Sequence, residues 1–232
     1  MKKEKDIYSF LKCRAYTNIF KDFFPFDFNY SVFDKSLDHI FAYHLKNQST
    51  SQIDSYAYRT VLKAFNSLKD SSKLPQQLSK DLNDLTLALN QLLNIMVLEE
   101  KVPVFGPLYH NVSHHGVNLK IKSRSIYRDF EDGYISFYLS PYTSSFEAKN
   151  DPIPYVLYSE LKKIISSVFP KDKTLTIKVI YFNKNEYNAF NITYKNAKAF
   201  NRLSNILHSI DIDETPIYKC TYKCKYKKEC KL

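Results

Sequence analysis

The sequence predicts an α/β protein folded as one compact domain. Through roughly the first hundred residues, apolar side chains recur at the three- and four-residue spacing of helices. After Pro103 the spacing changes to the two-residue alternation of strands, with further helical segments among and after them. At 232 residues with 44% apolar content, the chain is long enough to bury a single core. We therefore expect one domain over residues 1–232.

Four helices are predicted in the first part. The pattern is clearest in the fourth, whose leucines recur from Leu78 in alternating steps of four and three. Lys73-Leu74-Pro75 separates it from the third helix as a turn. In the second helix, His44 shares a face with the apolar residues. The predicted ranges are Asp6 to about Lys21, Phe33–Leu45, Gln52–Leu68 and Leu78–Leu98.

Strands and helices alternate in the second part. Asp132-Gly133 is a turn signal for a hairpin between the first two strands. Pro154 suits the first turn of a helix, and Asn196 is a suitable N-cap for the last one. The predicted elements are strands Val117–Tyr127 and Tyr134–Leu139, helix Pro154–Val168, strands Leu175–Phe182 and Phe190–Tyr194, and a helix ending at Ile210.

Composition excludes several classes of function. Three scattered glycines are too few for a phosphate-cradling loop, so we expect no nucleotide cofactor. The sequence has no membrane-spanning apolar run, and the segment after Met1 lacks the apolar stretch of a signal peptide. We expect an intracellular, cytoplasmic protein without a membrane partner, in the host cytoplasm if the chain is viral. The net charge of +10 favours nucleic acid as a partner, although solvated surface lysines would produce the same charge.

The four cysteines form a candidate metal centre. Three of them make the pattern Cys220-x3-Cys224-x5-Cys230, and Cys13 lies in the first predicted helix. Four thiolates suit a tetrahedral zinc or a 4Fe-4S cluster. Disulfides rarely persist in a reducing compartment, and zinc sites more often collect two close pairs of ligands. We therefore expect a 4Fe-4S cluster on Cys13, Cys220, Cys224 and Cys230, with zinc as the alternative.

This order of elements, with one cysteine in the first helix and three behind the last, resembles the iron-sulfur branch of the RecB-type PD-(D/E)XK nucleases, which includes the CRISPR-adaptation nuclease. Tyr8–Tyr16 is similar to that family's first-cysteine helix, and Pro216–Cys220 with the next two cysteines is similar to its C-x2-C-x5-C tail, although the first gap here is three residues. Leu37–Ile40, which includes His39, resembles its histidine-bearing helix. Pro154–Tyr158 stands in the place of its Q-x-x-x-Y helix, with the tyrosine present and the glutamine absent.

The resemblance implies a restriction-endonuclease-like core, a small mixed sheet flanked by helices. It implies a helical part over about 1–100, the nuclease-like core over about 101–210 and the cysteine tail over 211–232. The family binds Mg²⁺ through an acid on one strand and an acid-x-Lys on the next. Here the first strand offers Lys122, Ser123 and Arg124, and the second offers Tyr138-Leu139-Ser140-Pro141. We therefore expect no catalytic residues at these positions.

A relocated active site is the alternative. Glu147-Ala148-Lys149 is an acid-x-Lys triplet, and Asp129 and Asp132 lie upstream of it. The flanking Ser and Asp-Pro residues indicate a polar loop, whereas catalytic residues of this fold stand on strands. His39 would be the family's active-site-proximal histidine, or else a core or boundary histidine on an apolar helix face.

Cations on the first strand and in the tail are the candidate nucleic-acid contacts. Tail tyrosines alternate with lysines, so rings could stack on bases while ammonium groups contact phosphates. The predicted contacts are Lys120, Lys122, Arg124, Lys223, Lys225 and Lys227. By contrast, His110, His114 and His115 lie in a glycine-bordered segment without a nearby carboxylate, and we expect them to be exposed and not to bind metal.

The function predicted from the sequence is nucleic-acid binding by an iron-sulfur protein of RecB-type nuclease fold without catalysis. It would act in DNA processing or as a subunit of a DNA-handling complex, with single-stranded DNA or DNA ends as the partner and a protein partner in the complex. Two alternatives remain: an active Mg²⁺-dependent DNA exonuclease or endonuclease, and a zinc-stapled protein-interaction subunit.

Overall fold

The computed structural model of the chain describes residues 2–3, 28–47, 58–63, 66, 75–96, 98, 101–114, 117–129, 133–142, 144–169, 174–183 and 186–211. Residues 58–63 are helical. The other elements are β1 Lys2–Lys3, α1 Phe28–Asn47, α2 Pro75–Met96, β2 Lys101–Phe105, β3 Leu108–His114, β4 Val117–Ser123, β5 Ile126–Asp129, β6 Gly133–Leu139, α3 Ser145–Asn150, α4 Ile153–Val168, β7 Thr174–Asn183, β8 Glu186–Ile192 and α5 Ala197–Asp211.

A mixed five-stranded sheet lies at the centre, in the order β2-β5-β6-β7-β8. β5 is antiparallel to β2 and β6, β6 is parallel to β7, and β7 is antiparallel to β8. The parallel pair is connected through α3 and α4, because parallel neighbours need a crossover. Every residue of β6 is buried, as expected for a central strand that is covered on both faces.

Helices cover both faces of this sheet. On one face, α1, α2 and residue Val61 pack against Tyr127, Ile135, Phe137 and Ile180. On the other face, α4 and α5 pack against Tyr134, Tyr138 and alternate residues of β7. The predicted α/β class is therefore confirmed.

A second sheet, β1-β4-β3, lies on the α4 and α5 side. Its buried residues Val112, Leu119 and Ile121 belong to the same core cluster as α4 and α5. The predicted strand Val117–Tyr127 therefore needs a correction, because it is two strands, β4 and β5, that belong to different sheets. Along β4 every second residue is inward-facing and buried, at Leu119, Ile121 and Ser123. The next inward-facing residue, Ile126 on β5, follows after three positions and not two, and this shift in the alternation marks the crossing between the sheets.

Gly133 begins β6 where only glycine fits. Its φ is +144°, and a Cβ on it would lie 2.4 Å from the Thr174 carbonyl oxygen on β7. β5 and β6 form the predicted antiparallel hairpin, and the connection over residues 130–132 lies outside the described residues.

Four of the predicted helices are confirmed, as α1, α2, α4 and α5. Asn196 caps α5 as expected, since its Oδ1 accepts hydrogen bonds from the amides of Lys198 at 3.1 Å and Ala199 at 3.3 Å. Other details need correction: strands β2 and β3 were not predicted, β8 begins at Glu186 and not at Phe190, and the presumed polar loop at Glu147 is helix α3. The predicted first helix and the cysteine tail lie outside the described residues.

Candidate nucleic-acid interface

The second sheet has one buried and one exposed face, since side chains alternate along β3 and β4. On the exposed face the antiparallel register places Tyr109 opposite Lys122, Asn111 opposite Lys120 and Ser113 opposite Asn118. All six side chains are polar or amphipathic, and four of them are exposed. We call this the outer sheet face, formed by Tyr109, Asn111, Ser113, Asn118, Lys120 and Lys122.

Tyr109 and Lys120 contact each other on the outer sheet face. The Lys120 Nζ lies 4.4 Å from the centroid of the Tyr109 ring, a cation–π contact between diagonal neighbours. The tyrosine is 62% exposed, which leaves much of the residue accessible to a partner. An exposed ring can stack on a base while the ammonium group beside it contacts a phosphate.

Lys122 and Arg124 are engaged by acidic residues of α1. The Lys122 Nζ forms an ion pair with Asp38 Oδ2, and the Arg124 guanidinium pairs with Asp34 Oδ1 and, at 3.0 Å, with Asp38 Oδ1. The Arg124 Nη1 also donates to the Asp34 carbonyl at 3.3 Å. The Arg124 side chain is only 8% exposed. Two of the three cations predicted on this strand therefore hold α1 to the junction between the sheets, and Lys120 is the one that faces an aromatic ring.

Tyr109 is not among the contacts predicted from the sequence. It faces outward on β3, where Tyr109, Asn111 and Ser113 alternate with the buried His110 and Val112. That two-residue alternation is present in the sequence and is typical of a strand, but the histidines of this segment led to the prediction of a loop.

His110 corrects the expectation of an exposed loop histidine. It is buried on the inner side of β3, and its Nε2 lies 2.8 Å from Ser123 Oγ, which also lies within 3.3 Å of the Leu108 carbonyl. Burial lowers the pKa of His110, and the Glu160 carboxylate opposes this only partly. Because Ser123 is fully buried, this His–Ser pair is structural. His114 ends β3, and His115 lies outside the described residues.

Asp129 lies among lysines. Its Oδ2 is 3.7 Å from the Lys101 Nζ, and Lys178 is close enough to interact with both charges. Burial, followed by the repulsion of Lys101, lowers the pKa of Lys178, whose Nζ donates to the Ile95 carbonyl at 2.6 Å. This carboxylate therefore faces ammonium groups, which repel a divalent cation.

Glu147 is held by the N-cap of α3. Ser144, the N-cap of α3, accepts from the Glu147 amide at 3.2 Å, and its hydroxyl donates to Glu147 Oε2 at 2.7 Å. Lys149 is exposed on the same helix, with its Nζ 6.0 Å from the Phe190 ring centroid.

Of the alternative active site, the residues that the structure describes are not brought together. In the sheet, Asp129 lies opposite Gly133, the first residue of β6. Glu147 and Lys149 lie on α3, which follows Leu139, the last residue of β6. A strand of this length spans about 20 Å. His39 is exposed on α1, which contradicts the core or boundary alternative for this residue.

No group of three or more His, Cys, Asp or Glu side chains that could hold a metal ion occurs in the part of the chain that the structure describes. Asp132, the four cysteines and the lysines Lys223, Lys225 and Lys227 all lie outside that part. Among the described helices, none is both long and apolar enough to cross a membrane.

Comparisons with known proteins identify no family. No protein-family model matches the chain, and no curated protein matches it. A solved structure described as "Crystal structure of SSO0001" is similar over 84% of this chain and 85% of its own, with 14% sequence identity and a TM-score of 0.28.

Proposed function

We propose that the protein binds single-stranded nucleic acid and does not cleave it. The observation that carries the proposal is the contact between the exposed Tyr109 ring and the Lys120 ammonium on a sheet face open to solvent. Aromatic rings in a basic setting bind unpaired bases with little dependence on sequence, while cations contact the phosphates. The net charge of +10 would attract the strand from a distance.

The outer sheet face suits an unpaired strand better than a duplex. Bases stacked within a duplex cannot reach the Tyr109 ring, whereas those of a single strand can lie flat on it. Asn111 and Asn118 on the same face offer amide groups to phosphates or base edges. Lys223, Lys225 and Lys227 of the tail would add further phosphate contacts.

The proposal includes a nuclease-like PD-(D/E)XK core that has lost its metal ligands. A mixed sheet flanked by helices, with a hairpin followed by a helical crossover to a parallel strand, supports it. The ion pair of Asp129 with Lys101 and the hydrogen bonds of Glu147 with the Ser144 N-cap support binding without metal-dependent cleavage. Cys13, Cys220, Cys224 and Cys230 would hold a 4Fe-4S cluster, which would serve as a structural cross-link between the two ends of the domain.

Fluorescence anisotropy with a labelled oligothymidylate tests the binding proposal. We expect affinity that falls as salt rises, and Lys120→Ala should reduce the slope of log K against log salt by about 0.7. Tyr109→Ala should weaken binding about tenfold, whereas Tyr109→Phe, which keeps the ring, should bind almost as the wild type does.

The matched control is Lys63→Ala, which removes an exposed lysine from the helical part of the chain. A wild-type protein without measurable affinity at low salt would overturn the proposed function. Equal effects of Lys120→Ala and Lys63→Ala would show that binding depends on total charge and not on the outer sheet face.

A further inference from the structure

A second exposed surface combines cations with aromatic rings. It lies where α3 meets the connection between β8 and α5 and the exposed side of α5. We call it the α3–α5 surface, and its members are all exposed: Phe146, Lys149, Tyr194, Lys195, Lys198 and Arg202.

Hydrogen bonds and ring contacts join the segments that carry these residues. Arg202 Nη1 on α5 donates to the Asn150 carbonyl at the end of α3 at 2.8 Å. The Tyr155 hydroxyl donates to the Lys149 carbonyl at 3.2 Å, and the Tyr155 ring lies 6.0 Å from that of Tyr194. The α3–α5 surface is therefore one continuous patch.

Helical spacing aligns the side chains within each helix. Phe146 and Lys149 are three residues apart on α3, and Lys198 and Arg202 are four residues apart on α5. Residues at these spacings lie on the same side of a helix. Each helix therefore presents a pair of neighbouring side chains to solvent.

The charges of this surface are not balanced. It carries four cations, and none of them takes part in an ion pair between described residues. The nearby Glu147 is engaged by the Ser144 cap. Asp151 is only 1% exposed, and its carboxylate accepts from the Tyr138 hydroxyl at 3.2 Å and the Ile153 amide at 3.0 Å. This differs from the outer sheet face, where α1 supplies carboxylates to Lys122 and Arg124.

Two aromatic residues on this surface are open to solvent. Tyr194 is 56% exposed and Phe146 is 78% exposed. Exposed rings among cations that form no ion pair with another described residue match the chemistry of unpaired bases on a phosphate backbone. An acidic protein segment would satisfy the cations alone, so the rings favour nucleic acid.

We propose that the α3–α5 surface is a second binding site for single-stranded nucleic acid, at which its cations contact phosphates and Tyr194 and Phe146 stack on unpaired bases. The proposal rests on the proposed function and adds a site to it. Leu203 of α5 and Leu119 of β4 belong to the same core cluster, so part of the α3–α5 surface and the outer sheet face lie on elements that share one core.

The test measures oligothymidylate binding by the full chain. The variant Lys149→Ala/Lys195→Ala/Lys198→Ala should bind about tenfold more weakly or worse, with a salt slope smaller by about 2. The matched control, Lys46→Ala/Arg59→Ala/Lys63→Ala, removes three exposed cations from α1 and residues 58–63 and should have a much smaller effect. Because both variants lower the net charge equally, the difference between their affinities measures the contribution of the α3–α5 surface.

Tyr194→Ala should weaken binding about tenfold while Tyr194→Phe should not, since the ring and not the hydroxyl stacks. Inorganic polyphosphate should compete less well than unlabelled oligothymidylate. Equal competition by polyphosphate, or full binding by Tyr194→Ala, would overturn the stacking role and with it the proposal.

The outcomes also separate the two proposals. If the wild type binds and Tyr109→Ala weakens it, but the triple α3–α5 variant behaves as its control, the proposed function stands and the second site is wrong. An acidic protein partner would then be the remaining occupant. If the wild type does not bind at all, the proposed function itself fails.

Discussion

The Arg124 guanidinium lies 3.0 Å from Asp38 Oδ1, and the other oxygen of the same carboxylate pairs with Lys122. Asp38 thus connects α1 to the end of β4 and to the two-residue crossing between the sheets. Because the Arg124 side chain is buried, this carboxylate and that of Asp34 stabilise its positive charge in place of water.

We therefore predict that Asp38→Asn lowers the free energy of unfolding by about 1–3 kcal/mol, since a buried guanidinium loses a charged partner. Urea denaturation measures the change. Asp84→Asn, at an exposed position of α2, is the control and should change the free energy little. Equal stability of the two variants would show that the ion pairs contribute nothing to the fold.

His110 makes stability depend on pH. Burial lowers its pKa from the ordinary value of 6.5, so the unfolded chain binds the proton more tightly than the folded chain does. The stability contribution of the neutral side chain is fully present above pH 6.5 and is lost as the pH falls toward the folded-state pKa. His110→Gln should reduce this loss, as measured by urea denaturation at a series of pH values.

The control for that series is His208→Gln, at an exposed position of α5. It should leave the pH dependence of stability close to that of the wild type. If His110→Gln and the wild type lose stability in parallel as the pH falls, His110 is not the group responsible.

The four cysteines predict a coloured protein. Protein purified without oxygen should be brown, absorb broadly in the visible range and contain about four irons per chain. Cys220→Ser should lower the iron content and bleach the absorbance, because the cluster loses one thiolate. Colourless protein with one bound zinc would contradict the cluster and favour the zinc-stapled alternative.

Cleavage assays with Mg²⁺ or Mn²⁺ test the absence of catalysis. We expect no degradation of single- or double-stranded DNA above that of the Asp129→Asn and Glu147→Ala variants. The physical reason is that these carboxylates lie beyond opposite ends of β6, one beside Lys101 and one in a helix cap. Metal-dependent cleavage that either variant abolishes would establish the relocated active site instead.

The sequence by itself determined those features whose causes are local. The sequence signals for three helices lie within those helices or a few residues from them. They are the amphipathic spacing of α2, the proline near the start of α4 and the Asn196 cap of α5. The two-residue alternation also predicts the exposed β3 positions around Tyr109, but the neighbouring histidines suggested a loop.

Only the tertiary structure decided which charges are available to a partner. Lys122 and Arg124 appear in the sequence as two more cations on a basic strand, yet the Asp38 carboxylate that pairs with both lies 84 residues before Lys122 and 86 residues before Arg124. Lys149 and Arg202 are likewise distant in sequence, and the packing of α5 beside α3 places them on one surface. Periodicity and capping act over a turn or two of chain, whereas electrostatic pairing depends on distance in space, which only the packing of the whole domain sets.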